Sequence, residues 1–155
     1  MTEDSFALGR ITRTDTGYCG QLSRLFAQDV AAVWAMLTEP ALMAQWLAAG
    51  SIELQEGGAV RIDFADSGIV IDSRLAEFVP GRVLGYSWSS GDQPLRPLRW
   101  ALHEEGAGTR LSLSVQLPAG EDPARACAGF EGHLEMLAAA LEGVPIRFPF
   151  DLFLQ

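Results

Sequence analysis

Lysine is absent from this 155-residue chain: its 11 basic residues are all arginine, against 20 acidic residues, for a net charge of −9. No mechanism follows from the missing lysine, but the acidic balance has a consequence. A partner held through its phosphates needs a basic surface to neutralise them, so nucleic acid is not an expected partner. Cysteine is scarce as well. Cys19 and Cys127 are too far apart for a CxxC or a zinc pair, and two cysteines make no disulfide framework. The two histidines, His103 and His133, fall on different elements without metal-ligand spacing. No run approaches the ~20 apolar residues of a membrane span, so no membrane partner is expected. MTEDSFALGRITRTDTGYCG has no continuous apolar core behind a basic start, which argues against a signal peptide. There is no GxGxxG, no phosphate-cradling GKS or GKT loop, and no GxSxG elbow around Ser87, Ser89, Ser90, Ser112 or Ser114. Together these absences predict a cytoplasmic protein without cofactor or metal.

What is present is a large apolar fraction, 48%, enough for one domain with a substantial core over residues 9–143 and an apolar tail over 144–155. Most of the pattern is β. Residues 9–14 and 18–26 flank a turn at Asp15-Thr16-Gly17 and suit a hairpin. Further on, 51–56, 60–64, 69–79, 83–89, 98–103 and 109–117 read as a meander separated by Gly-rich turns, with an irregular loop over 91–97. Arg61, Asp63, Arg74, Glu77 and Arg99 alternate with apolar neighbours and read as the sheet's outer face.

Two helical segments interrupt this β chain. In VAAVWAMLTEPALMAQWL, Val30, Val33, Trp34 and Leu37 form a helical stripe behind a capping Asp29. Pro40 breaks that helix and opens a second, with Thr38 as the expected cap and Leu42, Met43, Trp46 and Leu47 as its apolar residues. The last helix starts at Asp122-Pro123, carries Phe130, Leu134, Leu137 and Leu141 on one stripe, and stops at Gly143. Segregated helices over one β layer make an α+β domain.

That order resembles a known family. A strand, paired helices carrying Val33-Trp34-Ala35-Met36-Leu37-Thr38-Glu39-Pro40 and Trp46-Leu47, Gly57-Gly58, Tyr86-Ser87-Trp88, Gly108-Thr109-Arg110-Leu111 and Gly129-Phe130 follow one another as in the START-like, helix-grip (SRPBCC) superfamily. Within it the chain most resembles bacterial homologues of the heat-shock protein 90 ATPase activator domain, with Phe130 where tryptophan is commoner. The resemblance implies a curved antiparallel sheet of about six to seven strands gripping the long C-terminal helix, with an apolar cavity between them.

Candidate lining residues are Trp34, Trp46, Ile62, Phe64, Trp88, Trp100, Leu113, Phe130, Leu134 and Leu137. For any single one of them, plain core packing is the simpler reading. Two polar groups join the set. His133 flanks the apolar stripe of the last helix and could titrate near neutral pH or hydrogen-bond a ligand. Tyr86 shares a parity with Trp88, so its hydroxyl could orient a polar ligand end. His103 reads as a solvated strand end, and Cys127 as a small buried hydrophobe despite its place early in the helix.

Three functions follow as expectations. The first is a container for a small apolar or amphipathic molecule such as a lipid, polyketide or aromatic compound. The second, implied by the resemblance alone, is a co-chaperone-like partner of heat-shock protein 90. The third is a cyclase, dehydratase or hydrolase in which His133 and Tyr86 would move protons. A homodimer through a sheet edge or the tail is also open.

Overall fold

In the computed structural model, which describes residues 9–145, eight strands form a single antiparallel sheet. The expected loose start and nearly all of the apolar tail lie outside the described residues. In chain order the strands are β1 (Arg10–Arg13), β2 (Gly17–Phe26), β3 (Ala49–Ile52), β4 (Ala59–Asp63), β5 (Val70–Val79), β6 (Val83–Ser87), β7 (Pro97–Glu105) and β8 (Gly108–Pro118). Across the sheet they run β1-β2-β8-β7-β6-β5-β4-β3, so only the β2–β8 neighbours depart from a simple meander. The helices are α1 (Val30–Thr38), α2 (Pro40–Met43) and α3 (Pro123–Leu141). This is the helix-grip arrangement, with eight strands where six to seven were expected. Each strand overlaps one of the eight runs that the residue pattern marks, so only the number implied by the resemblance is low. All four residues of β1 are exposed, so its hydrogen-bond ladder to β2, and no buried face, holds it in place.

Period-2 alternation places Thr109, Leu111, Leu113, Val115 and Leu117 of β8, and Leu98, Trp100 and Leu102 of β7, on the helix-bearing face. One strand breaks the rule. The register of β5 on β6 shifts between Leu75 and Glu77, a bulge that bends the strand. Arg74 and Glu77 are three residues apart and would face opposite sides of a regular strand. The shift lets Glu77 join the outer face, where it takes a two-bonded ion pair from Arg99 at 2.9 and 3.2 Å. Gly85 stands between them in register and has no side chain to obstruct the pair.

Asp29 caps α1 by accepting from the Ala32 amide at 2.9 Å. Thr38 does not cap α2 as expected: its hydroxyl donates back to the Trp34 carbonyl, and the N-cap position falls to Glu39, which makes no side-chain cap. The second helix is correspondingly short and passes into turns over 44–47. Those turns deliver Trp46 into the core. Its indole Nε1 donates to the Met36 carbonyl at 2.8 Å, and its ring meets Trp100 edge-on with centroids 5.7 Å apart. α3 begins as expected, Asp122 accepting from Ala124 and Arg125 amides with Pro123 behind it, and packs on β2 and α1.

The Gly108-Thr109 pair has a structural reason. A Cβ at Gly108 would lie 2.1 Å from the Phe26 carbonyl oxygen, while the buried Thr109 hydroxyl donates to the Gln28 carbonyl at 2.8 Å. Together they pin the end of β2, and hence the entry to α1, against β8.

Trp46→Phe keeps an aromatic side chain but removes part of a fully buried indole and leaves the Met36 carbonyl without its donor. It should cost about 1–3 kcal/mol in urea unfolding. Trp34→Phe, at a half-buried indole with no such bond, should stay under about 1 kcal/mol; equal costs would remove the assigned role of the Trp46 hydrogen bond.

Candidate functional site

Because α3 lies over β2 and α1, the opposite flank of the sheet is not fully covered. A groove of about 560 Å³ remains there, between α3 on one side and β5, β8 and two loops on the other. One strip of α3 forms a wall: Arg125, Ala126, Gly129, Phe130 and His133 recur at the three- and four-residue spacing of a helix face. Phe64, Ser67 and Ile69, around the turn after β4, form the second wall, and Trp88 with the 91–97 loop forms the third. The interior is aromatic. Trp88 meets Phe130 at 5.1 Å and Phe64 at 5.8 Å between centroids, and Phe64 meets the His133 ring at 5.8 Å.

His133 is fixed by one bond. Its Nδ1 lies 3.0 Å from the Trp46 carbonyl oxygen, and since a carbonyl can only accept, Nδ1 carries the proton. Nε2 is then a bare acceptor. Among the described residues Nε2 makes no hydrogen bond, and no buried side-chain nitrogen or oxygen is left unpaired, so Nε2 opens onto the groove. Burial pushes the imidazole below its usual value near 6.5, with the Trp46 carbonyl opposing the shift. The ring is therefore neutral at neutral pH.

Tyr86 is placed differently. Its hydroxyl accepts from Trp100 Nε1 at 3.1 Å and is buried, which pushes its ionisation well above the usual phenol value. Its ring lies beside Trp88, centroids 6.3 Å apart, and Trp88 and Phe64 form the chain of rings between it and His133. The two candidate proton carriers are not brought together. Of the other candidates, Phe64, Trp88 and Phe130 line the groove with His133. Trp46, Ile62, Trp100, Leu113, Leu134 and Leu137 are enclosed in the core beneath it. Trp34 sits apart, against Phe78 at 6.2 Å. Cys127 is buried and its thiol is pushed up, first by burial, so it is no poised nucleophile.

Sequence reasoning missed the polar rim. Arg96 donates through Nε and Nη2 to both oxygens of Glu121 at 2.7 Å and through Nη1 to the Trp88 carbonyl at 3.1 Å. This ties the 91–97 loop to the start of α3 and holds Trp88 in its wall. The pairing spans 25 positions between two loops, and no local pattern announces it.

With this geometry in view, the likeness to known proteins is specific in one respect. The family model described as "Activator of Hsp90 ATPase homolog 1-like protein" matches residues 28–142. The chain belongs to that family. Solved structures agree on the fold of this AHSA1-like protein. CalU16 from Micromonospora echinospora superposes with a TM-score of 0.77 at 21% identity, covering 94% of this chain and 89% of that one. EF2215 from Enterococcus faecalis, a conserved protein of unknown function, gives 0.77 at 19% identity, covering 97% and 88%. DynU16, from the dynemicin biosynthetic locus, gives 0.75 at 28% identity over 83% of this chain, which spans about half, 49%, of DynU16. No curated protein matches the AHSA1-like chain in sequence. Among the described residues no helix is long and apolar enough to cross a membrane, and no His/Cys/Asp/Glu group could hold a metal ion.

The His133 environment has a pH consequence. Below about pH 6.5 the unfolded chain takes up a proton that the folded imidazole refuses. Its contribution is fully present above that value and is lost as pH falls through the lowered folded value. His133→Asn keeps a donor for the Trp46 carbonyl without the titration. Between about pH 7 and pH 5.5 the urea midpoint of the native protein should therefore fall more steeply than that of the variant. Parallel curves would contradict the assignment.

Proposed function

We propose that this protein binds a small hydrophobic or amphipathic molecule in the groove between its sheet and α3. The observation that carries the reading is Gly129. It stands in mid-helix, on the groove-facing strip between Ala126 and His133, and a Cβ built there meets nothing within 4 Å. No positive φ requires a glycine at this place and no neighbour crowds it. A mid-helix glycine costs roughly 0.5–1 kcal/mol relative to alanine, and at this exposed place on the groove's rim it leaves the opening wider than any side chain would.

The rest of the groove supports the same reading. Its volume lies within the roughly 300–1,000 Å³ of small-molecule sites, and its lining is mainly aromatic and aliphatic with a few polar groups. The solved relative DynU16 comes from a biosynthetic locus, which suits a small organic ligand.

The test is to fill the space. Gly129→Leu should fold, with unfolding stability unchanged or raised by up to about 1 kcal/mol. In isothermal titration calorimetry with 2-naphthol it should bind at least about tenfold more weakly than the native protein. Undiminished binding would place the ligand elsewhere.

A further inference from the structure

The groove's polar groups are not all available to a ligand. Ser67 donates to the Phe64 carbonyl and accepts from the Ile69 amide. Arg96 and Glu121 hold each other in the two-bonded pair, and Gln93 gives its carbonyl to the Ser90 amide. Asp122, beside the mouth, turns its carboxylate into the first amides of α3. Two groups on the α3 wall are left over, at opposite ends of the strip. At one end the bare Nε2 of His133 accepts; at the other the Arg125 guanidinium has no ion pair or hydrogen bond among the described residues.

Among the described arginines Arg10, Arg13, Arg74 and Arg125 meet no carboxylate, and of these four only Arg125 lines the groove. Arginines 24, 61, 82, 96, 99 and 110 each meet a carboxylate, as expected where acids outnumber bases 20 to 11. Arg125 meets none, on the margin of an apolar groove. The charged lining residues are Arg96, Glu121 and Arg125, which leave one positive charge on a protein whose net charge is −9. Eight residues of helix separate His133 from Arg125, a rise of about 12 Å, and the walls between them are the rings of Phe64, Trp88 and Phe130.

From this arrangement we infer that the ligand is an elongated aromatic anion, with a hydroxyl that donates to His133 Nε2 and a carboxylate or like group that meets Arg125. Flat fused rings fill the space between facing aromatic walls, where offset and edge-on contacts are favourable. The neutral imidazole accepts from a phenol and cannot pair with an anion. The guanidinium at the mouth does the opposite, binding carboxylate through parallel bonds. Polarity therefore fixes which end of the ligand enters first. The inference rests on the binding reading and adds the ligand's chemistry and direction.

Four probes separate the contributions: 6-hydroxy-2-naphthoate, 2-naphthoate, 2-naphthol and naphthalene, titrated by calorimetry into the native protein, Arg125→Gln and His133→Asn. The hydroxynaphthoate should bind tightest. Removing its carboxylate should weaken binding about tenfold in the native protein, a preference that shrinks in high salt and disappears in Arg125→Gln. Removing its hydroxyl should weaken binding several-fold in the native protein and make no difference in His133→Asn. Arg125 is exposed, so its variant folds irrespective of any ligand. Equal binding of all four probes, or a carboxylate preference that survives Arg125→Gln, overturns the inference while leaving the binding reading standing. Binding of none of the four overturns both.

Discussion

Trp46 is fastened at both ends, and the arrangement of helices over sheet depends on it. Its indole hydrogen binds the Met36 carbonyl and closes α1 onto the turns after α2. Its own carbonyl receives the proton on His133 Nδ1 and ties those turns to α3. Its ring sits edge-on to Trp100 in the sheet. One residue thereby joins three elements that are distant in sequence. A buried indole without an acceptor, or an imidazole without this carbonyl, would leave a polar group unmatched in a low-dielectric interior. Every polar atom of the set that lies in the core is satisfied, which is the condition for it to rigidify, and only His133 Nε2 is left to face the groove.

The same fastening sets the chemistry of the groove. By holding Nδ1–H in the structural bond, the Trp46 carbonyl chooses the tautomer and presents Nε2 to the opening. Burial keeps the ring neutral, so the group offered is an acceptor and no charge. Arg96 performs a comparable service on the far wall. Its guanidinium is fully engaged by Glu121 and the Trp88 backbone, so it positions an aromatic ring and adds little free charge of its own.

The fold was legible because its signals are local and redundant. Asp29 and Asp122 cap the helices they were expected to cap, Pro40 and Pro123 stand at first turns, and alternation over 109–117 assigns a buried face residue by residue. Thr38 shows the limit of such rules. A hydroxyl can bond back into its own helix as readily as forward into the next, and the structure takes the first option. The bulge in β5 shows another. Periodicity cannot announce an extra residue, yet placing both Arg74 and Glu77 on the outer face requires one.

The groove was less legible, for a reason of distance. Phe64, Trp88, Phe130 and His133 could be chosen as apolar or titratable residues near predicted interior faces. Whether an aromatic residue ends as wall or as core depends on how α3 is offset across the sheet, which is a tertiary quantity. Trp100 and Trp88 look alike in sequence and differ in this respect. The Arg96–Glu121 pair joins two loops and has no periodic signature. The meaning of Gly129 was hidden for the opposite reason: a glycine gives no pattern, and its importance is the volume it leaves empty.

That emptiness bears on how such a protein can change over time. The residues that hold the frame together, Trp46, Trp100 and the alternating apolar rows, are enclosed and mutually dependent, so substitutions among them are resisted. Gly129 is exposed on the groove's rim, and a Cβ built there meets none of them within 4 Å. A single codon there can shorten, narrow or reshape the chamber without disturbing the frame. Selection can thus reshape the groove while the architecture stays fixed, which is a physical route by which one scaffold comes to serve chains that share little more than their shape.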